Sequence, residues 1–234
     1  MRSDILVHWT GKDIKLDKSG LQDKDREGYI SRLRSILENG FWMTTPNERI
    51  EGNNGAWIKY EASMTCFTEI RLSQTTLHSK QYGLLGVGVS RQFVLDRRGG
   101  PVHYVRNHKD ESIVGNVQAI LDDLQGDVRN YFAINTAFMK AMSDTNEDNF
   151  KYLEEQEWRI VQTNSQVNAG KIIPSDGSQP AYWIPIQIDD VRIVVFPDDK
   201  TLTMARSDPT IKDLFQDPSN SNVILLTLEE CEHF

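Results

Sequence analysis

The feature that most constrains the fold is an irregular alternation of short β-rich segments with helical patterns of unequal length. Regular βαβ winding requires strands and helices in strict alternation, and this chain does not have that order. We therefore predict an α+β fold, a single compact domain in which helices flank a mixed or antiparallel central sheet. The predicted strands are residues 5–9, 63–70, 84–90, 102–105, 158–162, 181–188, 191–196 and 223–228.

Two helical patterns stand out between these strands. From Tyr29, apolar residues recur at helical spacing as far as Leu37, and Gly40 supplies the stop. A longer pattern covers residues 112–142 and is broken near Gly126. The shorter predicted features are a surface loop at residues 13–27, a helix that Ser90 caps and that Gly99 and Gly100 end, a long loop at 163–180, and a helical piece at 210–215.

Length and composition are those of one globular unit. The chain has 234 residues, of which 38% are hydrophobic, and no Pro/Gly/Ser-rich linker divides it. One hydrophobic core can support this length, so we expect a single domain over residues 1–234. The opening residues contain only a short apolar run, and no later run approaches the ~20 apolar residues of a membrane span. We therefore expect a cytoplasmic protein with no membrane partner.

Cysteine and histidine usage gives no sign of a metal or a disulfide. Cys66 and Cys231 lie far apart and form no CxxC pair, which is typical of a protein in a reducing compartment. Cys66, between Thr65 and Phe67, is predicted to be a buried small hydrophobic residue. The histidines show no HExxH motif or paired ligand spacing, so we predict no metal site.

The charge distribution limits the possible partners. A formal charge of −8 argues against broad electrostatic attachment to nucleic acid or anionic lipid. Residues 91–109, which we call the basic island, reverse this balance locally and could be either a solvated face or a contact for a charged acceptor. Its cationic residues are Arg91, Arg97, Arg98, Arg106 and Lys109, against one acid, Asp96.

The glycines at 83, 86 and 88 precede a predicted strand in the order GxxGxG. This order fits neither a dinucleotide-binding fingerprint nor a P-loop, both of which need a different spacing and a following helix. Close packing of backbone segments is the preferred interpretation.

Three segments hold the residues that could carry chemistry. They are Leu6-Val7-His8-Trp9-Thr10-Gly11, Lys80-Gln81-Tyr82-Gly83 and Glu154-Glu155-Gln156-Glu157-Trp158-Arg159. Side chains alternate along a strand, so Glu155, Glu157 and Arg159 are predicted to share one face, while Trp158 and Ile160 pack on the other.

A strand ending in His8-Trp9-Thr10, followed by a helix ending in Ile36-Leu37-Glu38-Asn39-Gly40, resembles the start of ADP-ribosyltransferases of the His-Tyr-Glu type. The resemblance implies that NAD is the substrate and that His8, beside Thr10, holds a ribose hydroxyl. It also implies that Tyr82 stacks on nicotinamide, with Tyr60 and Tyr104 as alternatives. Trp9 departs from the pattern, because these enzymes usually carry a small residue there.

The same resemblance assigns the two acids. Glu157 would bind the ribose 2′-hydroxyl, and Glu155 would orient the incoming acceptor. The chemistry explains the residue type, because cleavage of the nicotinamide glycosidic bond develops positive charge on the ribose. A carboxylate fixed in a partly dry cleft stabilises that charge.

Over most of its length the chain is similar to the AbiGi abortive phage-resistance family, which is labelled an antitoxin component. The motifs are HWTGK, MTCFTEI, HSKQYGLLGVGVS, GGPVHYV, EEQEWRI and LTLEECEHF. Two functions follow as expectations. The chain is either a toxin that transfers ADP-ribose from NAD to RNA, DNA or protein, or a non-catalytic regulator that binds a toxin partner.

Overall fold

The computed structural model describes residues 4–14, 20–46, 49–51, 57–59, 62–69, 72–105, 113–141, 155–177, 180–212 and 223–233. The strands are β1 (Ile5–Thr10), β2 (Phe41–Met43), β3 (Arg49–Glu51), β4 (Trp57–Lys59), β5 (Met64–Thr68), β6 (Leu85–Ser90), β7 (Gly100–Pro101), β8 (His103–Val105), β9 (Met139–Ala141), β10 (Glu157–Val161), β11 (Ile173–Pro174), β12 (Tyr182–Ile184), β13 (Val191–Phe196) and β14 (Ile224–Thr227). The helices are α1 (Asp23–Asn39), α2 (Thr75–Tyr82), α3 (Arg91–Asp96), α4 (Ile113–Asp123), α5 (Gly126–Thr136), α6 (Asn164–Asn168), α7 (Asp199–Ser207) and α8 (Leu228–Cys231).

A seven-stranded sheet, in the order β14-β13-β6-β1-β5-β10-β7, forms the centre of the molecule. Its neighbouring strands run antiparallel, except that β13 and β14 are parallel. The predicted mixed, mostly antiparallel sheet with flanking helices is therefore confirmed. Smaller sheets lie beside it: β11-β12-β2, β3-β4 and β8-β9.

The period of two along β1 separates the two faces of this sheet. Leu6 faces the larger core, where it packs with the buried stripe of α1, including Leu33. Val7 and Trp9 face the opposite side and pack with Ile193. Alternating residues of one strand thus support two apolar layers, and the predicted helix and its apolar stripe are confirmed.

Helix α1 begins earlier than the sequence predicted. Residues 13–27 read as a surface loop because they are polar, but the helix starts at Asp23. The Asp25 carboxylate accepts a hydrogen bond from the Gln22 N–H at 3.0 Å, which satisfies a donor at the helix start. Arg26 also donates to Asp198 at the start of α7. These side-chain contacts hold the polar first turn in helical form.

Three further predictions were right in part and wrong in part. The pattern at 112–142 is two helices, α4 and α5, with the predicted break before Gly126, and Met139 begins a strand because it pairs with His103. The predicted loop at 163–180 contains α6 and β11. A helix does lie between β13 and β14, but it is α7, which is capped by Asp198 and ends at Ser207. Of the predicted helical residues 210–215, residues 210–212 form turns and 213–215 lie outside the described residues.

The glycine run serves close packing, as predicted. A Cβ on Gly86 would lie 3.0 Å from the Trp9 ring, and one on Gly88 would lie 2.3 Å from Ile193 Cγ2. The bare backbone of β6 therefore gives the large Trp9 indole its space on this face of the sheet.

The arginines in the described part of the basic island donate hydrogen bonds to other residues of the protein. Arg91 donates to Glu69 at 2.7 Å, and Arg97 donates to the carbonyls of Phe93 and Pro185, both at 3.1 Å. Exposed Arg98 donates to Ser165 at 2.9 Å. Arg106 and Lys109 lie outside the described residues. These contacts favour a structural role over a contact for an acceptor.

Among the described residues, no helix combines the length and the apolar character that a membrane crossing requires.

Candidate functional site

A cavity of about 460 Å³ lies where β1 and β5 separate. The two strands pair only at Val7 and Thr68, where the Thr68 hydroxyl donates to the Val7 carbonyl at 3.3 Å. Beyond this pair the rest of β1 is bonded on its other edge to β6. The cavity is lined by residues 7–13 and by Arg32, Trp42, Thr44, Met64, Thr65, Cys66, Thr68, Gln81, Tyr82, Lys140, Glu155 and Glu157.

The structure brings the five site residues named from the sequence to this one cavity: His8, Thr10, Tyr82, Glu155 and Glu157. They come from three segments far apart in the chain. The alternative Tyr104 does not line the cavity, but its hydroxyl accepts a hydrogen bond from the Glu157 backbone N–H at 3.0 Å. The other alternative, Tyr60, lies outside the described residues.

His8 sits on the cavity wall with its ring packed edge-on against Phe41 and Phe67, at centroid distances of 5.3 and 5.9 Å. Its Nδ1 lies 2.8 Å from the Cys66 carbonyl, which only accepts, so Nδ1 carries the proton. Burial lowers the pKa of His8. The imidazole is therefore neutral, and its Nε2 is an acceptor suited to a hydroxyl group.

Trp9, at the position where the motif resemblance expects a small residue, does not fill the cavity with its indole. The indole is buried on the opposite face of the sheet, over Gly86. Because backbone groups alternate along a strand and Val7 pairs with β5, the N–H and C=O of Trp9 also face the β5 side. The bulk of Trp9 is thus compatible with a ligand that approaches the backbone here.

Tyr82 ends α2, and Gly83 fixes its position. Gly83 has φ +115°, and a Cβ there would lie 2.3 Å from the Thr10 carbonyl oxygen. Only glycine allows this approach, which brings the end of α2 against the end of β1. The Tyr82 hydroxyl then donates to Glu155 Oε1. Burial and the charge of Glu155 raise the pKa of Tyr82, so the phenol stays protonated.

Glu155 and Glu157, the acidic pair, are almost fully buried, with 2% and 4% exposure. Lys140 on β9 lies between them, with its Nζ 2.7 Å from Glu155 Oε2 and 3.0 Å from Glu157 Oε2. Between the two acids Gln156 has φ +44°, so β10 begins only at Glu157. The backbone turn nevertheless leaves both carboxylates in the same cavity.

Arg159 is the second cation of the site. It is 1% exposed, and its Nε and Nη2 donate to Glu157 at 2.7 and 3.0 Å. Its Nη1 donates to the Ala137 carbonyl at 2.6 Å. The predicted shared face of Glu157 and Arg159 is thus a bidentate ion pair, while Ile160 packs in the core on the other face.

The two acids differ in protonation. Burial alone would raise the pKa of Glu157, but Arg159 and Lys140 outweigh it and hold that pKa well below its usual range. For Glu155, burial dominates over Lys140 and raises the pKa to about 7. The site therefore combines one carboxylate that stays ionised, Glu157, with one that exchanges a proton near neutral pH, Glu155, as acid–base chemistry requires.

Cys66 is not the buried hydrophobic residue that its neighbours predicted. It is half-buried, lines the cavity, and its thiol donates a hydrogen bond to the Glu157 carboxylate. Alternation along β5 places Thr65 and Phe67 on the opposite face, so their character did not report on Cys66.

Lys140, Arg32 and Trp42 are among the lining residues that were not predicted from the sequence. Lys140 lies in a stretch read as the end of a helix, so its alternation within a short strand was not recognised. Arg32 lies on the polar face of α1, pairs with Asp13 at 2.6 Å, and stacks over Trp42 at 5.4 Å from the ring centroid. Trp42, 39% exposed, was the only one of the three with a signal, since it lies in the short apolar run Phe41-Trp42-Met43 that follows the helix stop at Gly40.

Within the described residues, no group of His, Cys, Asp and Glu side chains is arranged to hold a metal ion. The polar groups of the cavity instead suit an organic ligand with hydroxyl groups and a positive centre. Neutral His8 and Tyr82 can bond to hydroxyls, and the acidic pair can face positive charge.

Comparison with known proteins gives one structural match and one family. DarT of Thermus sp. 2.9, solved in complex with carba-NAD+, matches over 97% of each chain with 12% identity and a TM-score of 0.36. A TM-score at this level does not establish a common fold. No curated protein matches the chain. Residues 44–179, more than half of the chain, match the family described as "Putative abortive phage resistance protein AbiGi, antitoxin". The chain belongs to the AbiGi family.

Proposed function

We propose that this protein is an NAD-dependent ADP-ribosyltransferase that modifies a macromolecular acceptor during abortive phage infection. The observation that carries the proposal is the meeting of His8, Tyr82 and the acidic pair in one cavity. The cavity volume, about 460 Å³, falls within the roughly 300–1,000 Å³ of small-molecule sites. The family supplies the setting of phage resistance, and the motif resemblance supplies the reaction.

Each wall of the cavity has a role in this proposal. His8 accepts a hydrogen bond from a ribose hydroxyl through Nε2, beside Thr10 at the end of β1. The Tyr82 ring offers a face to nicotinamide. Glu157 binds the ribose 2′-hydroxyl next to the bond that breaks. Arg159 orients the Glu157 carboxylate and keeps it ionised.

The reaction breaks the bond between the ribose C1′ and the nicotinamide nitrogen. The electron pair leaves with nicotinamide, which becomes neutral, and positive charge develops on the ribose. The ionised Glu157 stabilises that charge. A nucleophile of the acceptor then bonds to C1′ and gives its proton to Glu155, whose pKa of about 7 suits a base. NAD is a substrate in this scheme and is consumed.

A second candidate function is a non-catalytic regulator that binds a toxin partner. The antitoxin description of the family favours it. The pairing of Glu157 favours it as well, because Arg159 and Lys140 already balance the charge that catalysis would use. The two functions differ most clearly in whether the cavity binds NAD.

Calorimetry with NAD and with a non-hydrolysable NAD analogue tests the proposal. The parent chain is expected to bind at one site. Thr10→Phe, which adds bulk to the cavity wall, should abolish binding, whereas the exposed control Glu229→Gln should bind like the parent. Absence of binding up to millimolar concentration by folded protein would contradict the transferase and favour the regulator.

A further inference from the structure

Lys140 has a position that neither the motif resemblance nor the reaction scheme accounts for. It comes from β9, a three-residue strand in a separate two-stranded sheet, and reaches both members of the acidic pair. Its side chain is only 11% exposed, so solvent screens these contacts little.

We propose that Lys140 is the positioning residue of the acidic pair: its ammonium, shared between the two carboxylates, fixes their spacing and favours their ionised forms. Arg159 does not perform this function for Glu155, because its Nε and Nη2 are committed to Glu157 and its Nη1 to the Ala137 carbonyl.

The need for this cation follows from the surroundings of the pair. Two buried carboxylates in one cavity repel each other, and a cation between them favours the ionised form of both. The ionisable groups that face the pair among the described residues are Tyr82 of α2, Cys66 of β5, Tyr104 of β8, Lys140 of β9 and Arg159 of β10. Tyr82 donates a neutral hydrogen bond to Glu155, so Lys140 supplies the positive charge on that side.

The catalytic consequence rests on the proposed function. Glu155 accepts the acceptor's proton only when it is ionised, and burial already raises its pKa to about 7. Removal of the Lys140 charge raises the pKa further, so the transferase would require a more alkaline medium. The direction follows from Coulomb attraction, because an ammonium nearby favours the charged carboxylate.

The test is a ¹³C NMR titration of glutamate side-chain carboxyls, with Glu155 assigned by its loss in Glu155→Gln. Lys140→Met removes the charge, Lys140→Gln removes the charge but keeps a donor, and Lys140→Arg keeps the charge. We expect both neutral variants to raise the titration midpoint of Glu155 by about one pH unit or more. Lys140→Arg, which keeps the charge, should leave the midpoint close to that of the parent. An unchanged midpoint in the neutral variants overturns the proposal.

Two controls make the result decisive. If neither neutral variant folds, the test is made on the parent chain. The ¹⁵N chemical shift of the Lys140 ammonium should then change with pH at the same midpoint as the Glu155 carboxyl. A ¹⁵N shift that stays constant through that midpoint contradicts the proposal. The pH profile of ADP-ribose transfer should move by the same amount as the NMR midpoint. If the parent chain transfers no ADP-ribose at any pH, the proposed function is rejected. The NMR titration would still test whether Lys140 favours the ionised form of Glu155.

Discussion

Arg159 and Glu157 form a bidentate ion pair, with Nε to Oε1 at 2.7 Å and Nη2 to Oε2 at 3.0 Å. Both side chains are almost completely buried, and Arg159 also donates to the Ala137 carbonyl. The pair therefore links the proposed catalytic carboxylate to the end of α5, and a change in either residue affects both the site and the fold.

Loss of Arg159 should destabilise the protein strongly. Arg159→Met leaves the buried Glu157 charge with Lys140 alone, and breaking a buried ion pair costs about 3–5 kcal/mol. The double variant Arg159→Met/Glu157→Gln should be less destabilised, because no uncompensated charge remains. Urea denaturation of the parent and both variants measures these differences. A double variant as unstable as Arg159→Met would show that packing, and not charge, dominates.

Glu157 should give the protein stability that acid removes. Its pKa is lowered from the ordinary 4.5 of the unfolded chain, so its contribution is complete above about pH 4.5 and is lost as the pH falls below it. The free energy of unfolding of the parent should decrease more steeply between pH 4.5 and 3 than that of Glu157→Gln. Parallel curves for the two proteins would contradict the pairing.

Glu155 should act in the opposite direction. Its pKa rises from 4.5 to about 7 on folding, so between these values the folded chain keeps a proton that the unfolded chain has released. Glu155 therefore reduces stability as the pH rises through this range. We expect the stability of the parent, relative to Glu155→Gln, to fall between pH 5 and 8. Thermal unfolding in a buffer series measures it, and a constant difference would reject the raised pKa.

The basic island gives a matched pair of variants. The Arg97 guanidinium lies 3.5 Å from the Phe93 ring centroid and donates to two carbonyls. Arg97→Glu would place a carboxylate against those carbonyls and should destabilise the fold by about 2–4 kcal/mol. Arg98→Glu changes an exposed residue and should stay within roughly 0.5 kcal/mol. Chemical denaturation measures the free energy of unfolding of both variants. Equal stability of the two would show that Arg97 belongs to a solvated face.

Local periodicity was sufficient to predict the face of β10. Glu157 and Arg159 share one side and Ile160 the other because the period of two depends only on the strand itself. The same reasoning identified the buried stripe of α1, since helical spacing is also local. These are the parts of the fold and site that a single sequence can supply.

The remaining features depend on contacts between distant segments. Met139 starts a strand only because β8 offers a partner, so Lys140 was read as helical. Spacing also could not choose between Tyr82 and Tyr104, since both hydroxyls reach the acidic pair, one at the Glu155 carboxylate and the other at the Glu157 N–H. The pairing of β9 with β8 and the direction of each tyrosine side chain determine these features, and residue type alone does not predict them.

Glu157→Gln should affect both activity and stability. The amide keeps the shape of the side chain but removes the charge that the reaction uses. Because Arg159 is buried against Glu157, the variant should also have a lower thermal transition. Activity must therefore be measured below the transition temperature of the variant.

The most direct measurement is the transfer of label from NAD to macromolecules of an infected-cell lysate, followed by separate nuclease and protease digestion to identify the acceptor. The parent and the exposed control Glu229→Gln should label the same product. Folded Glu157→Gln should lose on the order of 10² to 10³ in rate, the usual loss when a transition-state charge contact is removed. Folded Glu157→Gln that labels as fast as the parent, or a parent chain that labels nothing, would contradict the account.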